Sequence, residues 1–338
     1  MADALTDLLA ERDWLLLDGG TGTNLFAMGL EAGEPPELWN VDAIAKIQAL
    51  HQGFIEAGSD VILTNSFGGT AYRLKLHGAQ DRVFELNKAA AEIARDCADK
   101  ADHKVIVAGS VGPTGEILQP VGALAPEDAV AAFEAQIEGL MAGGADVIWV
   151  ETVSSEEEIT AVAQAAANQG APFCATLSFD TAGRTMMGIT STGYASLAKE
   201  LPAAPIAIGA NCGTGAPDLL RTVMGISEAD PSARIIAKAN AGIPRYVDGQ
   251  IHYDGTPDLM AEYVCLARDA GARLIGGCCG TKPEHLRAMR AALERHQPGS
   301  RPSFDEIIAR VGPFSSESDG TGDTGPAPER PRRRRRRG

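Results

Sequence analysis

Eight short, almost unbroken apolar runs recur along the 338-residue chain, each followed by a stretch whose apolar positions fall at helical spacing. This alternation limits the fold more than any other feature. The runs are WLLLDGG from Trp14, DVILTNS from Asp60, KVIVAGS from Lys104, DVIWVET from Asp146, PFCATLSF from Pro172, PIAIGANC from Pro205, ARIIAKANA from Ala233 and ARLIGGCC from Ala272. Unbroken apolar runs, rather than strict alternation, imply parallel strands covered on both faces.

The intervening segments read as amphipathic helices. Val41 to Ala57 spaces Ile44, Ile47, Gln48 and Phe54 along one side, and Pro126 to Met141 aligns Val130, Phe133, Ile137 and Leu140. Pro257 to Ala270 opens with Thr256 as N-cap and a proline in the first turn. Three segments share one form, EAGSDVIL from Glu56, AGGADVIWV from Ala142 and DAGARLIGG from Asp269. Each ends a helix, turns on glycine in the left-handed region, and enters a strand. Eight such units predict a (β/α)8 TIM barrel as a single domain, with an open doubly wound sheet as the alternative. The expected division is a barrel over residues 1–300, a short C-terminal helix within 301–314, begun by a Ser303/Glu306 capping box, and a disordered Arg-rich tail over 315–338.

The net charge of −15 disfavours nonspecific contact with nucleic acid or anionic membrane. The tail reverses the balance locally, with seven arginines against four acids from Ser315 onward. It carries no aromatic residue for base stacking, so a solvated tail is the simpler reading. No run approaches membrane-spanning length, and the N-terminal stretch carries acids where a signal peptide has bases, so a cytoplasmic protein is expected. Six cysteines in such a chain are not a disulfide framework.

In a barrel, chemistry collects at the C-terminal ends of the strands. There the sequence places Asp18, Gly19, Gly20 and Thr21 after the first run, Glu151 at the fourth, Asn211 and Cys212 at the sixth, and Cys278 and Cys279 at the eighth. Three thiolates can hold one zinc ion at about 2.3 Å and leave a fourth position open, the pattern of a catalytic site. Consecutive strand residues face opposite ways, so the backbone must bend to aim Cys278 and Cys279 at one ion, and Gly276, Gly277 and Gly280 are expected to permit it. Cys97, Cys174 and Cys265 have no such partners and read as packing residues, and the histidines read as surface or helix-packing residues. DGGTGTN lacks the spacing of a nucleotide loop; its backbone amides could cradle a small carboxylate, with a tight turn as the alternative. Asp18 and Glu151 could hold an ammonium group.

The segments DGGTGTNL, SVGPTG, LSFDTAGRTMMGIT, GANCGTG, ANAGIPRYVDGQIHYDGTP and GGCCGTKPEHL resemble the homocysteine S-methyltransferase family over roughly Leu15 to Leu293. The resemblance implies a barrel with Zn2+ on Cys212, Cys278 and Cys279. It also implies a pocket for the amino-acid end of homocysteine at Asp18, Gly19, Gly20 and Glu151, and direct transfer of a methyl group to the homocysteine sulfur to give methionine. A free thiol has a pKa of about 8.5; making it fully thiolate at neutral pH is worth only about 2 kcal/mol, so alignment must supply much of the rate. Trp39, with Phe67 and Tyr72, could cage an onium donor, with a loop residue anchored to the core as the alternative for Trp39, and betaine is the donor expected. The alternatives are S-methylmethionine, or a separate corrinoid protein that delivers the methyl group to a homocysteine-activating subunit of a split methionine synthase. A homo-oligomer, and a zinc-binding scaffold without turnover, complete the range of expectations.

Overall fold

The computed structural model describes residues 3–243, 245–247 and 250–321. All eight apolar runs form parallel strands: β1 (Leu15–Leu16), β2 (Val61–Leu63), β3 (Ile106–Val111), β4 (Val147–Val153), β5 (Phe173–Leu177), β6 (Ile208–Cys212), β7 (Ile235–Ala239) and β8 (Ala272–Gly277). The sheet runs from β2 in order to β8 and on to β1. A parallel bridge between Leu17 and Val61 joins its two edges. The fold is therefore the barrel, not the open sheet.

The strands are apolar on both faces because both faces are buried. Leu15, Leu17, Val61, Leu63, Ile106, Ala108, Val147, Trp149, Ile236 and Leu274 form one cluster inside the ring, and the neighbours between them join the helices in a second cluster outside it. The N-terminal helix Ala4–Glu11 sends Leu5, Leu8 and Leu9 into the interior cluster. Each such leucine contributes roughly 2 kcal/mol on burial. This helix is held at the N-terminal end of the ring, where Arg273 donates to the carbonyls of Leu9 and Arg12.

The repeat also forms as read. Gly58, Gly144 and Gly271 have φ of 100°, 95° and 102°, each just past a helix end. The helix Pro257–Asp269 is capped by Thr256, whose side chain accepts from Leu259 N. In the helix Ile44–Glu56 the buried side includes Ile47, Leu50, His51 and Phe54, whereas Ile44 is exposed. Ser303 caps the final helix Phe304–Val311, but the Glu306 carboxylate turns to Arg310, so the box is one-sided.

One expectation shifts. Residues 315–321 were placed in a disordered tail, yet Ser315 N donates to Asp218 Oδ2 at 2.9 Å and Ser316 O accepts from Arg221. Gly320 packs so closely on Gly183 that neither could carry a side chain without a backbone shift. These contacts are long-range and leave no periodic trace. Arg332 to Arg337 lie outside the described residues. Among the described residues, no helix is long and apolar enough to cross a membrane.

Candidate active site

The three cysteines meet. The Sγ atoms of Cys212, Cys278 and Cys279 all lie within 4.8 Å of one another, with Cys212 and Cys279 at 4.0 Å. Cys212 ends β6 with φ of 61°, a left-handed conformation rare for a residue with a side chain. Beyond β8, Cys278 N continues the ladder to Ala239 O at 2.7 Å, and Thr281 N closes a turn onto Cys278 O. Gly280, at φ of 80°, provides the bend. Gly276 and Gly277 do not bend the chain; they remain in the strand and permit close approach. A Cβ on Gly276 would lie 2.5 Å from Leu17 Cβ, and one on Gly277 would lie 2.2 Å from Thr281 Oγ1.

The donor set fits a zinc ion. Sulfurs bound tetrahedrally at about 2.3 Å stand roughly 3.8 Å apart, close to the observed spacing. Among the described residues no His, Asp or Glu joins the cluster, so three ligands would leave one position open. Beside it, Asn240 Oδ1 is buried and has no hydrogen-bond partner among the described residues. Without a cation the thiols resist ionisation. Cys212 sits at about 12: the hydrogen bond with Cys278 lowers it, but the contact with Cys279 and burial outweigh that. Cys279 is also pushed up to about 12, although its hydrogen bond with Cys212 pulls the other way; Cys278 and burial raise it. A divalent cation is the species that would relieve that crowding.

Asn211 organises the cluster from one strand away. Its Oδ1 accepts from Thr176 Oγ1 at 2.7 Å and from Thr152 N at 2.9 Å; its Nδ2 donates to Thr152 Oγ1 at 2.8 Å and to Cys278 Sγ at 3.9 Å. Asn211 thereby ties β4, β5 and β6 to a cysteine.

The two carboxylates differ. Asp18 is fully buried. Its Oδ1 accepts from Lys238 Nζ at 2.8 Å and its Oδ2 from Leu63 N at 2.7 Å. Glu151 is half-buried, and its Oε1 accepts from Ser110 Oγ at 2.7 Å. Burial raises the Glu151 pKa, while Lys238 and the Ser110 hydroxyl pull it back. Burial opposes the Lys238 charge, and Asp18 and Glu151 outweigh it, so its ammonium is held protonated.

The DGGTGTN loop binds the cysteine loop. Gly20 N donates to Thr281 O, Asn24 Nδ2 bridges Gly20 O and Thr281 O, and Thr23 Oγ1 accepts from Gly280 N. A Cβ on Gly19 would strike Thr281 O and one on Gly20 would strike Cys278 O, each at 2.6 Å, so these glycines serve contact between loops. Thr21 begins the short helix Thr21–Ala27. Trp39 packs against the core, and Lys46 Nζ covers its ring at 4.1 Å. Phe67 lies against Gly112, and no ring pair forms among Trp39, Phe67 and Tyr72 among the described residues.

Sequence reasoning assigned no role to Lys238, Ser110, Thr152, Asn24 or Tyr253. One signal was available: a lone lysine inside ARIIAKANA requires a buried carboxylate partner. Tyr253, whose ring atoms a Cβ on Gly280 would meet at 2.4 Å, borders Cys279, and no sequence signal marks it.

The family model described as homocysteine S-methyltransferase matches residues 15–293. Among solved structures, the metallated form of the Escherichia coli homocysteine methyltransferase MmuM is 25% identical, with a TM-score of 0.70, over 85% of this chain and 99% of that one. The oxidized form of the same Escherichia coli protein is 26% identical at a TM-score of 0.70, over 86% and 99%. A methyltransferase from Methanosarcina mazei shares the fold at 14% identity and a TM-score of 0.52, over 84% and 94%.

Proposed function

The chain belongs to the homocysteine S-methyltransferase family and is an enzyme of that kind, and from that premise we propose that it methylates the homocysteine sulfur with a zinc ion held by Cys212, Cys278 and Cys279. The observation that carries this reading is the convergence of three sulfurs from two strand ends within 4.8 Å, at the rim where barrel chemistry occurs. Zinc bound there would supply the Lewis acidity that turns an incoming thiol into thiolate near neutral pH. The protein's own groups do the rest. Glu151, held by Ser110, receives the amino group, and the Gly19–Thr21 turn lies beside the cysteine loop, where the carboxylate end would rest. Asn211 and the Thr23–Gly280 contact hold the cysteine loop in place. The methyl carbon then moves to sulfur, its bond to the donor breaking as the new bond forms. Residues 1–300 would be the catalytic unit.

The donor distinguishes two readings. Betaine, or S-methylmethionine, would need an onium site, and Lys46 already occupies the face of Trp39. A corrinoid protein as methyl carrier is favoured by an exposed apolar rim: Ile117 and Val121 after β3, Met186 and Met187 after β5, and Ile243 after β7. A small donor requires no such surface. The test is to load the purified protein with zinc, offer homocysteine with betaine, S-methylmethionine or methylcobalamin separately, and measure methionine. Methionine from one donor identifies the reaction. None from any donor sinks the proposal.

A further inference from the structure

The sequence gives Asp18 and Glu151 the same task, but their surroundings differ. A carboxylate can accept several hydrogen bonds, yet it must be reachable to take a ligand. Asp18 has no exposed surface, and both of its oxygens are already engaged, by Lys238 and by Leu63 N. Lys238 reaches it across β8, where its register partner is Gly276. That glycine leaves the crossing free of a side chain. Glu151 is half-exposed and engages only Oε1; among the described residues Oε2 accepts no hydrogen bond.

We propose that Lys238 sequesters Asp18 in a neutral buried pair, leaving Glu151 as the one carboxylate that binds the homocysteine ammonium group. Asp18, Glu151 and Lys238 together then carry one net negative charge, for one ammonium group. The assignment rests on homocysteine being the substrate. It differs from the family-based expectation that both acids hold the amino-acid end.

Calorimetric titration of homocysteine into the zinc-loaded protein, with zinc content and steady-state KM and kcat measured alongside, tests it. Glu151→Gln should weaken homocysteine binding by about 10- to 150-fold, the range for losing a hydrogen bond to a charged group, with zinc content unchanged. Lys238→Gln alone leaves a buried charge on Asp18 unpaired and should lower the melting temperature. Adding Asp18→Asn should restore melting, because it removes that charge and keeps a hydrogen bond between the side chains. The double variant should then bind homocysteine within about threefold of the parent, less than the loss of one hydrogen bond, with KM likewise close to the parent. A double variant that is folded and zinc-loaded, yet loses as much affinity as Glu151→Gln, would overturn the assignment by making Asp18 a direct ligand. A parent protein that binds no homocysteine would overturn the proposed function, and this assignment with it, before any variant is made.

Discussion

Asn211 Oδ1 accepts the backbone N–H of Thr152 at 2.9 Å, and by this bond the residue before one cysteine fixes the residue after the pocket glutamate. Both flanking positions are strained, Thr152 at φ of 65° and Cys212 at 61°. Left-handed conformations at residues with side chains cost about 1–3 kcal/mol each and persist where surrounding contacts hold them.

Asn211→Ala therefore leaves Thr152 N–H without its acceptor and leaves the Thr176 hydroxyl only the longer bond to Val150 O at 3.3 Å. The expected loss is about 2–4 kcal/mol of stability in urea unfolding, with weaker zinc retention, read by competition with a chelator. An unchanged zinc affinity would show that Asn211 does not position Cys278.

Cys278→Ala should remove most of the zinc and abolish turnover, because two thiolates and water hold the ion far less tightly than three. Circular dichroism should remain that of the parent, since Cys278 lies outside the apolar clusters. Full zinc occupancy in this variant, by atomic absorption, would contradict the ligand assignment.

His51 sets a pH limit on stability. It is fully buried, neither ring nitrogen has a hydrogen-bond partner among the described residues, and burial lowers its pKa from 6.5 to about 4. The unfolded chain takes up the proton first as pH falls. The stability that His51 contributes is thus fully present above 6.5 and is lost progressively between 6.5 and about 4. The loss amounts to roughly 3 kcal/mol. His51→Leu should flatten that part of the melting-temperature profile between pH 7 and 4.5; an equally steep decline would assign the acid sensitivity to other groups.

The segment after the last helix stabilises the mouth. Arg221 pairs with Asp218 at 2.8 Å, donates to Ser316 O and lies 4.6 Å over Phe314, while Ser315 Oγ contacts Thr214, two residues from Cys212. Truncation after Gly312 leaves the Arg221–Asp218 pair but removes the contacts of Arg221 with Ser316 and Phe314 and that of Ser315 with Thr214. It should destabilise the protein by about 2–4 kcal/mol and leave zinc content intact. A melting temperature equal to the parent's would show the contacts to be without weight.

Much of this was legible in the chain. The strand runs, the turn glycines at 58, 144 and 271 and the paired cysteine stretches are local signals, each readable within a few residues. The packing of Cys174 inside the ring was readable in the same way. The task of Gly276 was misread, because a bend and a close approach call for the same residue and only the position of Leu17 separates them. The surroundings of Trp39 were not legible for a related reason: a tryptophan after a strand says nothing of the lysine that will cover it.

The sequence by itself determined that eight parallel strands would be buried on both faces and that three cysteines would stand at one end of them, because periodicity and strand polarity are properties of neighbours along the chain. The tertiary structure alone decided that Lys238 meets Asp18, 220 positions away, that Asn211 is occupied by Thr152, and that Glu151 keeps an oxygen free. Hydrogen bonds act over about 3 Å, and only closure of the ring brings such distant residues within that range.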